Sequence, residues 1–154
     1  MAKLIQLCTS ASLYDGAFDN ESGWSAAGMG DVIVTDNNRF IVIDGGYAED
    51  AEQILDILER SSGGARPSVD LWIITHSHVD HYGALMKISE DPALRERVEI
   101  KKLCYYFPRE FRDRGGKYCN IPAIAKMEQI ADATGAEYLC PSLDGEITLD
   151  DLKL

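Results

Sequence analysis

All three histidines of this 154-residue chain fall within six consecutive positions, with an aspartate between the second and the third: Thr75-His76-Ser77-His78-Val79-Asp80-His81-Tyr82-Gly83. Imidazole nitrogen and carboxylate oxygen are donors that a borderline divalent ion such as zinc accepts, at about 2.0–2.2 Å, where several converge on one point. A lone histidine is ordinarily packed or solvated. Here every histidine lies directly after the apolar run Leu71-Trp72-Ile73-Ile74, which points to metal chemistry. If the backbone stays extended beyond Ile74, alternation turns the side chains of His76, His78 and Asp80 to one side. His81 breaks that alternation, because Tyr82-Gly83-Ala84-Leu85-Met86-Lys87 reads as the opening of a helix, and its ring can enter the same cavity from another angle. The expected pairing is His76 with His78 on one ion and Asp80 with His81 on a second.

These side chains need a scaffold, and the chain ahead of them supplies it. Residues 31–35 and 39–44 are apolar runs separated by Asp36-Asn37-Asn38, which tolerate the left-handed conformations of a tight turn and predict an antiparallel hairpin. In the second run Ile41 and Ile43 face one side and Val42 the other, so both faces are apolar and a covered, central strand is expected. Asp44 closes that strand before Gly45-Gly46, where the backbone can turn sharply. Residues 48–60 carry Ala51, Ile54, Leu55 and Leu58 at the spacing of an amphipathic helix, ended by Ser61-Ser62-Gly63-Gly64-Ala65-Arg66-Pro67. The chain returns as a strand over 69–75. A strand-helix-strand unit therefore places the histidines where a strand's carboxyl end meets the next loop, a usual place for a site in α/β proteins.

Beyond the site, residues 82–89 and 92–97 read as short helices and 98–106 as a strand. Residues 108–120 read as a polar loop, either solvated or serving as a lid whose Arg109, Arg112, Arg114 and Lys117 face an anionic substrate. Asn120 is placed to cap a helix over 121–134, with Ile124, Met127, Glu128 and Ala131 on one face and Gly135 as its stop. Residues 138–141 and 146–154 suggest two closing strands. At the other end, 3–8 read as a first strand and 9–30 as a long loop with the isolated aromatics Tyr14, Phe18 and Trp24.

Hydrophobic residues at 45% and charged residues at 27% are ordinary for a folded globular domain, and the length suits one domain, 1–154. No apolar run approaches the roughly 18 residues of a membrane span, and none resembles an export signal. Cys8, Cys104, Cys119 and Cys140 are scattered, which suits free thiols in a reducing, cytoplasmic setting. Acidic residues outnumber basic ones 26 to 15, for a formal charge of -11. Such a surface repels polyanions over most of its extent, so a nucleic-acid partner is disfavoured, while a small-molecule or phosphoester substrate of unknown identity stays open.

The run His76-Ser77-His78-Val79-Asp80-His81 after a strand is similar to the H-x-H-x-D-H signature of the metallo-β-lactamase superfamily of metallohydrolases. Phe40-Ile41-Val42-Ile43-Asp44-Gly45-Gly46 resembles that family's apolar strand ending in D-G-G, and Gly30-Asp31-Val32-Ile33-Val34 the strand that pairs with it. The likeness runs along the whole chain and is most specific over residues 71–85. It implies a mixed α/β fold: the four-layer αββα sandwich, here its first half, one mixed sheet with helices on one face. It implies two divalent ions, zinc foremost with iron or manganese as alternatives, on His76, His78, Asp80 and His81. Asp80 would also be the catalytic residue that fixes the nucleophile's orientation, and Asp44 would lie beneath the site, orienting a ligating histidine through its free ring N–H. Phe18 and Trp24 would lie near the metal cavity, contacting substrate or pinning the loop to the core. The implied activity is hydrolysis of an ester, amide, thioester or phosphoester by a metal-bound hydroxide.

The chain also departs from that pattern. The family's complete site draws a further histidine, a bridging aspartate and a last histidine from later positions, and no histidine follows His81 here. The chain is accordingly expected to be a domain truncated at its C-terminus, inactive alone and weak for metal. Its exposed sheet face would await the missing C-terminal half or a second copy in a homodimer. Two other readings stay open: a non-catalytic metal-binding or interaction module, and an iron-dependent oxidoreductase on the same scaffold.

Overall fold

The computed structural model describes residues 2–9, 29–113, 116–141, 145–150 and 152–153, with backbone alone for 111–113 and 116–118. Tyr14, Phe18 and Trp24 lie outside the described residues. One mixed sheet organises the rest. β1 (Lys3–Gln6) pairs antiparallel with β2 (Gly30–Val34), and β2 antiparallel with β3 (Phe40–Asp44), the expected hairpin, whose turn has Asn38 at φ 56°. β4 (Ser68–Ile74) lies parallel to β3 after α1 (Ala51–Ser61), which a short 3-10 turn over Ala48–Asp50 precedes. β6 (Lys102–Tyr105) and β9 (Glu137–Leu139) continue the sheet in parallel, giving the order β1-β2-β3-β4-β6-β9.

The strand expected over 98–106 is divided at Lys101 into β5 (Glu99–Ile100) and β6, both paired to β4. The reason lies opposite. The β3–β4 register slips by one residue at Asp70, with Phe40 facing Val69 and Ile41 facing Leu71. Asp70 is buried there, and its carboxylate accepts from Arg39 Nη2 and Lys101 Nζ, each at 2.9 Å. Burial alone would raise its pKa, but the hydrogen bonds from those two cations hold it below the usual carboxylate value.

The helices pack on one face. Ile54, Leu55 and Leu58 of α1 and Ala84, Leu85 and Ile88 of α2 (Val79–Glu90) join Val42, Trp72, Ile74 and Leu103 of the sheet in the larger core. Ala123, Met127 and Ile130 of α4 (Ile121–Thr134) complete it. Glu128, expected on that inward face, is exposed, because burial follows the 123-127-130 stripe one step around the helix. The opposite sheet face carries a smaller cluster of Ile41, Leu71 and Cys104, against which a hairpin of β10 (Thr148–Leu149) and β11 (Leu152–Lys153) sets Leu149. Ile33, Ile43, Ile73 and Leu139 are half-buried on this face. The single strand expected over 146–154 is thus a hairpin, turned at Asp150, which has φ 55°.

Two further expectations change. Residues 108–120 form an antiparallel hairpin, β7 (Glu110–Asp113) and β8 (Gly116–Cys119), rather than a loop. Arg109 is exposed beside it; the side chains of Arg112, Arg114 and Lys117 lie outside the described residues. The short helix α3 (Pro92–Glu96) is capped by Asp91, whose side chain accepts from Ala93 N–H. Asn120 precedes α4 but makes no side-chain cap; its amide is engaged elsewhere. No helix among the described residues is long and apolar enough to cross a membrane.

Candidate metal centre

β4 ends at Ile74, and the four residues 75–78 link it to α2. His78 is still extended, at φ -93° and ψ 151°, and α2 begins with Val79. Strand alternation therefore relates His76 to His78 but stops before Asp80. Asp80 and His81 sit instead in the first helical turn, two and three residues past the cap. The helix starts three residues earlier than the sequence suggests, because His81 N–H already bonds His78 O at 3.0 Å. A negative charge in that first turn is favoured by the helix dipole, which suits Asp80.

The three rings nevertheless meet. His76 and His78 lie edge to face with centroids 4.2 Å apart, and His76 and His81 at 5.0 Å. His81 Nε2 is 3.7 Å from Asp80 Oδ2, while its Nδ1 is 3.0 Å from Asp44 Oδ2. A carboxylate only accepts, so Nδ1 carries the hydrogen, and in the neutral ring Nε2 keeps its lone pair for the cavity. Asp44 is fully buried. Its carboxylate also accepts from Thr75 N–H at 2.8 Å and Thr75 Oγ1 at 2.6 Å, and its carbonyl accepts from Trp72 Nε1 at 2.8 Å. Asp44 thereby joins the ends of β3 and β4 to the first turn of α2.

The surroundings set the rings apart electrically. The hydrogen bond that His81 donates to Asp44 raises the pKa of His81 against the opposing effect of burial. Burial lowers that of His76, and the adjacent rings of His78 and His81 lower it further. His76 and His78 are exposed, whereas Asp80 and His81 are half-buried, so the group opens outward from a fixed base.

The donors fit a divalent ion in kind and in pairwise approach: two neighbouring imidazoles, and a third beside a carboxylate. They do not form a closed cage. Among the described residues no three or more His, Cys, Asp or Glu side chains are disposed to hold an ion by themselves. The four cysteines are free thiols, Cys104 buried and the others exposed. A hollow of about 540 Å³, lined in part by Tyr105, Phe107, Pro108, Arg109 and Tyr138, lies beyond the ends of β6 and β9 and includes none of the four candidate ligands.

Two contacts had no signal in the spacing. Thr75 and Ser77 alternate with the histidines, and only the fold brings Asp44 to one and Asn120 to the other. Polar residues interleaved between candidate ligands are the one hint that both sides of the link are occupied.

Residues 31–137 match the family model described as the metallo-beta-lactamase superfamily. The matched span includes β3 with Asp44, the whole histidine run and α4. No curated protein sequence matches the chain.

Proposed function

The chain belongs to the metallo-β-lactamase superfamily, a family of metal-dependent hydrolase type, and from this we propose that His76, His78, Asp80 and His81 serve a metal-dependent hydrolase. The observation that supports the reading best is the approach of three imidazoles over a buried carboxylate that faces one ring nitrogen. In it, His76 and His78 hold one divalent ion and Asp80 with His81 a second, with zinc foremost among the candidates. Such ions supply Lewis acidity, lowering the pKa of a water toward neutrality and polarising the ester, amide, thioester or phosphoester to be cut. The chain's own contribution is orientation. Asp44 holds the Nδ1 hydrogen of His81 and so keeps Nε2 free, and through Thr75 it fixes the start of the link that carries His76. Asp80, anchored in the first turn of α2, sets the direction from which the attacking oxygen approaches.

Four donors shared by two ions leave each under-coordinated, and water or donors beyond the described residues fill the remaining positions. The second reading, a metal-binding or interaction module without turnover, draws on the same fact, the lack of a closed cage among the described residues.

Zinc titration followed through the imidazole NMR signals tests the ligand set. Zinc should perturb all three rings, H76A and H78A should each abolish the tighter response, and D44N should weaken binding about tenfold while leaving the chain folded. Hydrolysis of nitrophenyl phosphoesters, thioesters and β-lactams, measured with zinc present, separates the enzyme from the module. Silent imidazoles at millimolar zinc would refute the metal reading, and zinc binding with no turnover on any of these would favour the module.

A further inference from the structure

The link between β4 and α2 that carries His76 and His78 is held at three points. Asp44 fixes its first residue through Thr75, and the first turn of α2 fixes its last. Between these, Ser77 Oγ lies 2.8 Å from Asn120 Oδ1, across 43 positions of sequence. Asn120 is buried at 8% exposure. Its amide has no freedom to turn over: Nδ2 lies 2.8 Å from the Pro108 carbonyl oxygen, which can only accept, so the NH2 faces Pro108 and Oδ1 faces Ser77. Ser77 is therefore the donor. The Asn120 backbone is held as well, its N–H donating to Arg109 O at 3.0 Å and its carbonyl accepting from Ile124 N–H at 2.9 Å. A buried amide at the head of α4, bonded at both its oxygen and its nitrogen, thus grips the residue that lies between His76 and His78.

We propose that Asn120 is a positioning residue for the metal centre: through Ser77 it sets the separation of the His76 and His78 rings, and with it the affinity of that pair for a divalent ion. The inference rests on the reading of those two histidines as ligands. Its physical basis is preorganisation. A link ordered before the ion arrives loses no freedom on binding, whereas one released at Ser77 must be ordered by the ion itself.

The chain has only three histidines, so its imidazole NMR signals report this centre alone. Zinc is titrated into the full chain, with urea unfolding measured in parallel and amide hydrogen exchange over 76–79 measured without metal. S77A and N120A should each weaken zinc binding at the His76–His78 pair about tenfold, as loss of a partner behind a ligand does. S77A/N120A should be no weaker than N120A alone, and S77T, which keeps the hydroxyl, should restore the affinity. Exchange over 76–79 should quicken in S77A and N120A but not in S77T. Should N120A fail to fold because Pro108 loses its donor, S77A and S77T carry the test unaided. A purely structural tether would lower the urea midpoint and leave the zinc affinity of the folded protein unchanged, and that outcome overturns the proposal while sparing the ligand reading. Unchanged zinc affinity in H76A and H78A overturns the ligand reading and the proposal together.

Discussion

One carboxylate, Asp44, is shared among Thr75 N–H, Thr75 Oγ1 and His81 Nδ1, and its own backbone sits at φ 57°. An aspartate tolerates that left-handed geometry better than most residues, but the conformation still costs about 1 kcal/mol or more, which the surrounding bonds must offset. The same carboxylate separates the histidines in pH. Without metal, NMR titration should show His81 protonating above the ordinary histidine value near 6.5, because Asp44 favours its cation, and His76 below it, because burial and the neighbouring rings oppose a charge there. The signs for stability are opposite. The raised pKa of His81 contributes stability that is full below its unfolded value and is lost as pH rises through its folded one. The depressed pKa of His76 costs stability as pH falls through the unfolded value toward its folded one. In D44N the His81 titration should drop to or below the ordinary value while His76 moves little. The same midpoint for His81 in both proteins would show that Asp44 is not its partner in solution.

At the scale of elements, the helix carrying Asp80 and His81 is set by the chain that passes beneath it. Ala84 N–H bonds Gly46 O at 3.3 Å, and Met29 N–H bonds Asp80 O at 3.4 Å, so the ends of β2 and β3 hold the first turns of α2. Gly83 allows the approach: a Cβ there would lie 2.8 Å from Ala48 N and 2.9 Å from the Tyr47 backbone, distances that a real Cβ does not tolerate. In an open helix, Gly to Ala stabilises by about 1 kcal/mol. Here G83A should destabilise by about 1–3 kcal/mol, because the obstruction is backbone and cannot swing aside. Urea unfolding reads the sign directly, and an unchanged or raised midpoint would mean that α2 and the 3-10 turn sit farther apart than described. The β7–β8 hairpin belongs to the same scale. Its polar sequence reads as a solvated loop, yet it pairs with itself, and its base, at Pro108 and Arg109, bonds Asn120.

For the whole molecule, the formal charge of -11 argues against a polyanionic partner. A labelled single-stranded oligonucleotide should show no anisotropy change at about 0.15 M salt up to protein concentrations of roughly 100 μM, the weak end of non-specific binding. Saturable binding that weakens steeply with salt would reveal a local basic surface that the total charge hides. Much of the architecture was legible beforehand because it is local. The hairpin at Asn38, the α1 stripe at Ile54, Leu55 and Leu58, the donor types of the histidine run and the breaker at Gly135 each depend on residues a few positions apart. The boundaries that moved were those set by distant partners. Lys101 divides a strand because Asp70 lies opposite it, and α2 starts early where β2 and β3 hold its first turns. Asn120 does not cap α4, because its amide is claimed by Pro108 and by Ser77. The sequence by itself determined where the candidate donor atoms cluster and which strand delivers them. Only the tertiary structure decided which carboxylate stands behind which ring and what holds the link between two candidate ligands, because those bonds join residues 37 and 43 positions apart, beyond the reach of any local periodicity.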